Sequence, residues 1–249
     1  MRNRMVFAMA TTFFAIALTA SLNLGQTSAQ PPRGVALSPV AADLSGQRPS
    51  TSFSVFNFTS RPVHVTISPA DFSFDDNGHL SIHAPDCPFS ARPFIAEIYP
   101  ESFLLPSQRA RDVRVSFHIP SSKPAGYHVA LIVAFRTPTR ADAAAPAAAF
   151  APQLVFIATI SVGNPKPDAE ITRFAVRDGR ASLTVRNSGP THFRLNGGSH
   201  LAGRPLPPLL VLPGSERTFS VPIHDGEADR PMDALIDTGS EILKARRIP

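Results

Sequence analysis

The sequence predicts an all-β chain, two immunoglobulin-like β-sandwich domains in tandem after a cleaved signal peptide, and three observations carry that expectation. Beyond residue 30 apolar residues recur at every second position, Pro and Gly interrupt before any helix completes three turns, and one ordered pair of short motifs occurs twice.

The first 29 residues stand apart from this pattern. MRNR is a short basic start, and Met5 to Leu24 is an apolar stretch without a charge, which predicts an export signal and a periplasmic location. The run approaches the ~18 to 20 residues that span a bilayer, so a retained anchor is the alternative. Thr27-Ser28-Ala29 supplies small residues for cleavage before Gln30, and the polar QPPRG that follows favours cleavage. No Cys lies near that site, which argues against a lipid anchor, and no membrane span is expected after Gln30.

About 220 residues then remain, enough for two cores of about 100 residues each. The expected division is a signal over 1–29, an N-terminal domain over 30–163 containing a flexible Ala/Pro loop at 137–153, and a second domain over 164–249. The formal charge of +5 falls to about +3 without Arg2 and Arg4, and the remaining basic residues are scattered. Such a scatter makes no phosphate-tracking stripe, so no nucleic-acid partner is expected. Cys87, the single cysteine, has no intramolecular partner, so the fold must rest on apolar packing. A small buried hydrophobe is the expectation for it, a reactive thiol the alternative.

Alternation and turn residues place strands at 35–37, 51–58, 63–68, 79–82, 96–99, 112–119, 127–136, 154–162, 170–176, 180–186, 192–196, 218–223, 234–236 and 242–245. Asp75-Asp76-Asn77-Gly78 and Arg177-Asp178-Gly179 are the clearest turns, because Asn-Gly and Asp-Gly tolerate positive φ. The repeat begins with VFNFTSRPVHV at 55–65 and VRNSGPTHFRL at 185–195. Each ends a strand in Asn and breaks it with Pro. Phe103-Leu104-Leu105-Pro106-Ser107 and Leu210-Val211-Leu212-Pro213-Gly214-Ser215 follow in the same order, each feeding another alternating strand. Two copies of one sandwich design explain the pairing, with the Asn side chain closing a corner onto nearby backbone. Asn57-Phe58-Thr59 also fits a glycosylation pattern, but its place at a strand end favours the corner.

Between the halves, TPTRADAAAPAAAFAPQ is an Ala/Pro tract cut too short by Pro146 and Pro152 to persist as an isolated helix. LVFIATISV, Leu154 to Val162, follows and is apolar on nearly every residue. Such a strand is either covered on both sides or waiting for a partner.

Three local patterns imitate active or metal sites. Ala234-Leu235-Ile236-Asp237-Thr238-Gly239-Ser240 resembles an aspartic-protease loop, but Glu241 to Pro249 cannot build a substrate groove, so a terminal hairpin is expected. His79, His83 and Cys87 recur every four residues. On a strand the two histidines stand about 13 Å apart, too far for one ion. Asp75, Asp76 and Asn77 lack the remaining ligands of a calcium loop. No catalytic residues, metal or cofactor are expected.

SFSVFNFTSRP, PFIAEIYPESFLLPSQRARDVRVSF, AGYHVALIVAF, SLTVRNSGPTHFRL and VLPGSERTFSV, in this order, resemble the PapD-like periplasmic chaperone family over most of the mature chain. The resemblance implies two angled sandwiches with a cleft between them, a monomer, no enzymatic chemistry, and a strand lent to an exported, pilin-like or other Ig-like subunit. On this sequence the lent face falls on Leu154, Phe156, Ala158 and Ile160. The family's two basic cleft residues fall near Ala41 and Ile160, where the sequence is not basic and only Lys166 lies close by, so the resemblance is to a divergent member. The alternative is an envelope or surface adhesion module binding through its loops.

Overall fold

The computed structural model describes residues 34–75, 77–83, 87–120, 125–138 and 152–249; the predicted signal and most of the Ala/Pro tract lie outside them. Among the described residues the regular structure is β, apart from one 3₁₀ turn at Arg92–Phe94.

The first half contains β1 (Val35–Ser38), β2 (Ala41–Ser45), β3 (Ser50–Asn57), β4 (Val63–Phe74), β5 (Leu80–His83), β6 (Ile95–Tyr99), β7 (Ser102–Leu105), β8 (Arg109–Phe117), β9 (Ala125–Arg136) and β10 (Gln153–Val162). One sheet has the order β1-β3-β8-β6; the other runs β2-β10-β9-β4-β5, with β7 also pairing β4. Alternation builds the core between them. Phe53 and Val55 of β3, Val63, Val65 and Ile67 of β4, and Val113, Val115 and Phe117 of β8 point inward onto Val129, Leu131 and Val133 of β9.

The second half contains β11 (Ala169–Arg177), β12 (Arg180–Asn187), β13 (Phe193–Arg194), β14 (His200–Leu201), β15 (Arg204–Pro205), β16 (Leu210–Val211), β17 (Glu216–Pro222), β18 (Met232–Asp237) and β19 (Ile242–Arg247). The sheets β11-β12-β17, β13-β16 and β15-β14-β18-β19 enclose a second core around Leu183, Val185, Leu201, Phe219 and Ile236.

The repeated asparagines close equivalent corners. Asn57 and Asn187 are both buried. Asn57 donates from Nδ2 to the carbonyls of Arg61 (2.9 Å) and Leu105 (3.1 Å), and its Oδ1 accepts from the Thr59 amide. Asn187 donates to the carbonyls of Thr191 (2.8 Å) and Val211 (3.4 Å), and its Oδ1 accepts from the Gly189 amide. Each side chain therefore ties a strand end, the turn four residues on and the distant Leu-Pro corner into one knot.

Several strands depart from the sequence expectation, among them the two-residue β14, β15 and β16, which are too short to show alternation. Ala41–Ser45 pairs parallel to β10, a contact that gives a short sequence no periodic signal of its own. β4 continues to Phe74, beyond the predicted end at Ser68, because Pro69 falls within the β4–β9 ladder without ending it. Ser102–Leu105 forms an edge pair with β4 where the sequence suggested only a corner. The Asp237–Ser240 stretch is the turn of the β18–β19 hairpin: Asp237 Oδ1 accepts from the Gly239 amide, and Gly239 has φ +85°.

Candidate functional site

The strand β10 lies between β9 and β2. Along β9 it pairs from Gln153 to Val162, whereas β2 covers its other side only from Ile157 to Ser161. Among the described residues no strand pairs with that edge over Gln153 to Phe156. The last contact before the gap is the Ile157 amide donating to the Val40 carbonyl at 3.0 Å, and Val40 itself is 62% exposed.

The faces of β10 are the reverse of those drawn from the sequence. Phe156, Ala158 and Ile160 are fully buried in the first sandwich's own core, where Phe156 stacks on Phe53 at 4.5 Å between ring centroids, and Leu154 packs partly buried against the same core. They therefore do not project outward. The physical reason is that a strand apolar on both faces carries no alternation to fix its register, and a slip of one residue exchanges the two sets. The outward set is Val155 and Ile157. Both are half-buried against an apolar cluster of Phe72 from β4, Ala130 and Ile132 from β9, and Leu210 and Leu212 from the second half. The outer face of the first sandwich's sheet and the second sandwich thus share one apolar patch.

Toward the junction of the two halves this face turns polar. Thr159 Oγ1 donates to Asp43 Oδ1. From the second sandwich Arg194 donates through Nε to Asp43 Oδ2 at 2.9 Å and through Nη2 to Oδ1 at 3.3 Å. His192 Nε2 stands 4.0 Å from the same carboxylate. Burial alone would raise the Asp43 pKa. The hydrogen bonds from Arg194 and Thr159 and the charge of Arg194 outweigh it and hold the carboxyl below its usual range, and His192 adds to this when protonated. His192 is held below the usual imidazole range by burial, partly offset by Asp43 and reinforced by Arg194. The junction is tight beside this pair. The Gly126 amide donates to the Pro190 carbonyl at 2.7 Å, and a Cβ on Gly126 would collide with the backbone and side chain of Thr191.

A second contact closes the other end of the junction. Arg217 of β17 is 7% exposed, donates to the Leu210 carbonyl and covers the ring of Phe74. Gly78, with φ +85°, leaves the space its guanidinium occupies.

The positions that the resemblance matches to the family's basic residues, near Ala41 and Ile160, adjoin Asp43 and Thr159, and Arg194 of the other sandwich bonds to Asp43 there. Sequence reasoning singled out none of Asp43, Arg194 and Arg217, since each acquires its role from a partner more than 100 residues away. Of the remaining expected features, His79 Nδ1 turns to Asp75 Oδ2 at 2.9 Å, and Cys87 Sγ lies 3.4 Å from His128 Nε2 and is half-buried, its thiol pKa raised chiefly by burial.

No protein-family model and no curated protein matches the sequence. Solved structures do match. One is the CsuC–CsuE chaperone–tip adhesion subunit pre-assembly complex from archaic chaperone–usher Csu pili of Acinetobacter baumannii. It has a TM-score of 0.50 and 13% identity, covering 85% of this chain and 97% of that one. The YadV chaperone aligns at TM-score 0.49 and 14% identity over 86% of this chain and 98% of its own. The SafB chaperone complex with the SafA pilin of Salmonella enterica aligns at 0.46 and 16% over 89% and 99%. At such identity a match speaks for architecture, and with the tandem sandwiches it leads to one conclusion: this chain has the fold of the PapD-like periplasmic chaperones.

Proposed function

We propose that the protein is a periplasmic, non-enzymatic chaperone or assembly factor that holds an exported subunit by pairing it with β10. The observation that carries this reading is the edge of β10 at Gln153–Phe156, along which no strand pairs among the described residues, flanked by the exposed Val40 and by the outward side chains Val155 and Ile157. An unpaired edge beside apolar side chains is a template for an added strand, in which backbone hydrogen bonds supply affinity and side-chain pockets supply selectivity. One structural neighbour, from Csu pili, is a chaperone in complex with a tip adhesion subunit, and we assign this chain an exported subunit as its client, pilin-like or otherwise Ig-like as the sequence resemblance implies. In this reading the signal over 1–29 is removed, and 30–163 and 164–249 act as two domains of one monomer.

The adhesion reading draws on one observation, the half-burial of Val155 and Ile157 against a cluster that includes Leu210 and Leu212. Co-purification from a periplasmic extract separates the two. Capture of an exported subunit that is degraded without this protein supports the chaperone reading, whereas binding to intact envelope polymer with no subunit captured replaces it with the adhesion reading.

A further inference from the structure

The cleft between the sandwiches carries its own counter-charge. Its polar lining includes Asp43, Ser161, Thr191, His192, Arg194 and Ser240, and the only formal charges among these at neutral pH are Asp43 and Arg194. Those two are bonded to each other at two points, so the Nε and one Nη of the guanidinium are committed. The carboxylate is the more accessible partner: the Asp43 side chain is 51% exposed and that of Arg194 33%. His192, with its side chain 10% exposed, adds no positive charge while its pKa stays depressed.

These groups lie on the face that the apolar run of β10 leads into. Val155, Ile157 and Thr159 follow one another on the same side of the strand, and Thr159 is bonded to Asp43. A segment lying along the open edge ends where β2 begins at Ala41, two residues or about 7 Å short of Asp43, so a long side chain at its junction end reaches the half-exposed carboxylate. An incoming carboxylate would have to displace Asp43 from Arg194 or remain beside it unpaired, while an incoming ammonium or guanidinium finds an acceptor already oriented.

We propose that this cleft selects a partner strand carrying a basic side chain next to its apolar stretch and rejects one carrying a carboxylate there, with Asp43 as the specificity-determining residue. The proposal rests on the strand-pairing function of β10. It names the chemistry of the partner: an extended apolar segment flanked by Lys or Arg.

Three capped synthetic peptides with one alternating Val/Thr body, flanked at both ends by Lys, Gln or Glu, test this at low ionic strength irrespective of strand direction. The wild-type protein should bind the Lys peptide about three- to fivefold more tightly than the Gln peptide, and the Glu peptide more weakly than either, by a similar factor. The positive net charge of the protein works against this order, so long-range attraction cannot produce it. Asp43→Asn should remove the Lys preference. Asp43→Ala, which releases Arg194, should make the Glu peptide the tightest, with the unfolding midpoint of each variant measured alongside. Tightest binding of Glu by the wild type, Lys and Gln within about twofold, or a Lys preference that survives in Asp43→Asn would each overturn the proposal and leave the strand-pairing function standing. Failure of all three peptides to bind would overturn both.

Discussion

Arg217, on the second sandwich, holds its guanidinium carbon 4.7 Å from the ring centroid of Phe74 on the first. With its hydrogen bond to the Leu210 carbonyl and the cradle left by Gly78, this contact makes the β4–β5 hairpin part of the junction. The angle between the sandwiches is thereby held at both ends, by Arg217 at one and by Asp43 with Arg194 at the other.

Removing that latch should uncouple the halves. Arg217→Ala loses a buried cation–π contact and leaves a carbonyl without its donor, together about 2–3 kcal/mol. Both tyrosines, Tyr99 and Tyr127, lie in the first sandwich, so tyrosine fluorescence follows that half alone and far-ultraviolet circular dichroism follows both. In urea the two signals should change together in the wild type and separate in Arg217→Ala. Coincident transitions in the variant would show that the latch contributes nothing to coupling.

The duplicated asparagines should be equally costly but felt in different halves. Truncation to Ala strands three carbonyls at Asn57 and two at Asn187, together with one amide in each corner, about 2–3 kcal/mol in each case. In the Arg217→Ala background, Asn57→Ala should lower the tyrosine-monitored midpoint, while Asn187→Ala should lower only the dichroism-monitored one. A shift of the tyrosine signal by Asn187→Ala of the same size would mean the two corners do not belong to separable cores.

Acidification should weaken the cleft through His192. The imidazole faces Asp43 of β2 and Arg194 of β13, and its folded-state pKa is lowered, so the unfolded chain takes up the proton first. Stability is then retained above the unfolded value of about 6.5 and lost as pH falls toward the depressed folded value. Asp43 acts in the same direction at lower pH, since its lowered pKa contributes stability above about 3.9 that is lost as pH falls through the folded value. Comparing urea midpoints at pH 7.5 and about 5.5, the wild type should lose more than His192→Gln. Equal losses would place the sensitivity elsewhere.

What was legible in the sequence follows from how locally each feature is encoded. Asn57 and Asn187 could be matched because each has bonds to the turn within the next four residues and the Leu-Pro corners repeat in order. Strands with one wet face, such as β8 and β12, declare their orientation by alternation. β10 does not, since Val155 and Ile157 are as apolar as Phe156 and Ile160, and the choice between the faces rests on Phe53 about 100 residues earlier. The cleft was legible only as a lack of basic residues near Ala41 and Ile160. That Arg194 of the other half bonds to Asp43 there depends on how the sandwiches meet, which no local pattern records.

The orientation of β10 provides the sharpest test of the proposed function. Phe156→Asp places a carboxylate against Phe53 in a fully buried core, where no partner is available for the charge. It should cost well over 3 kcal/mol and leave little folded protein. Ile157→Asp alters the outward face beside the open edge. Its carboxylate can reach solvent at a half-buried position, so the variant should melt within a few degrees of the wild type, yet fail to retain an exported subunit in co-purification. Ile157→Val at the same position should keep both properties. If Ile157→Asp folds and still captures the subunit, the outward face of β10 is not the binding surface. If Phe156→Asp melts like the wild type, the register that buries Phe156 against Phe53 is wrong by one residue.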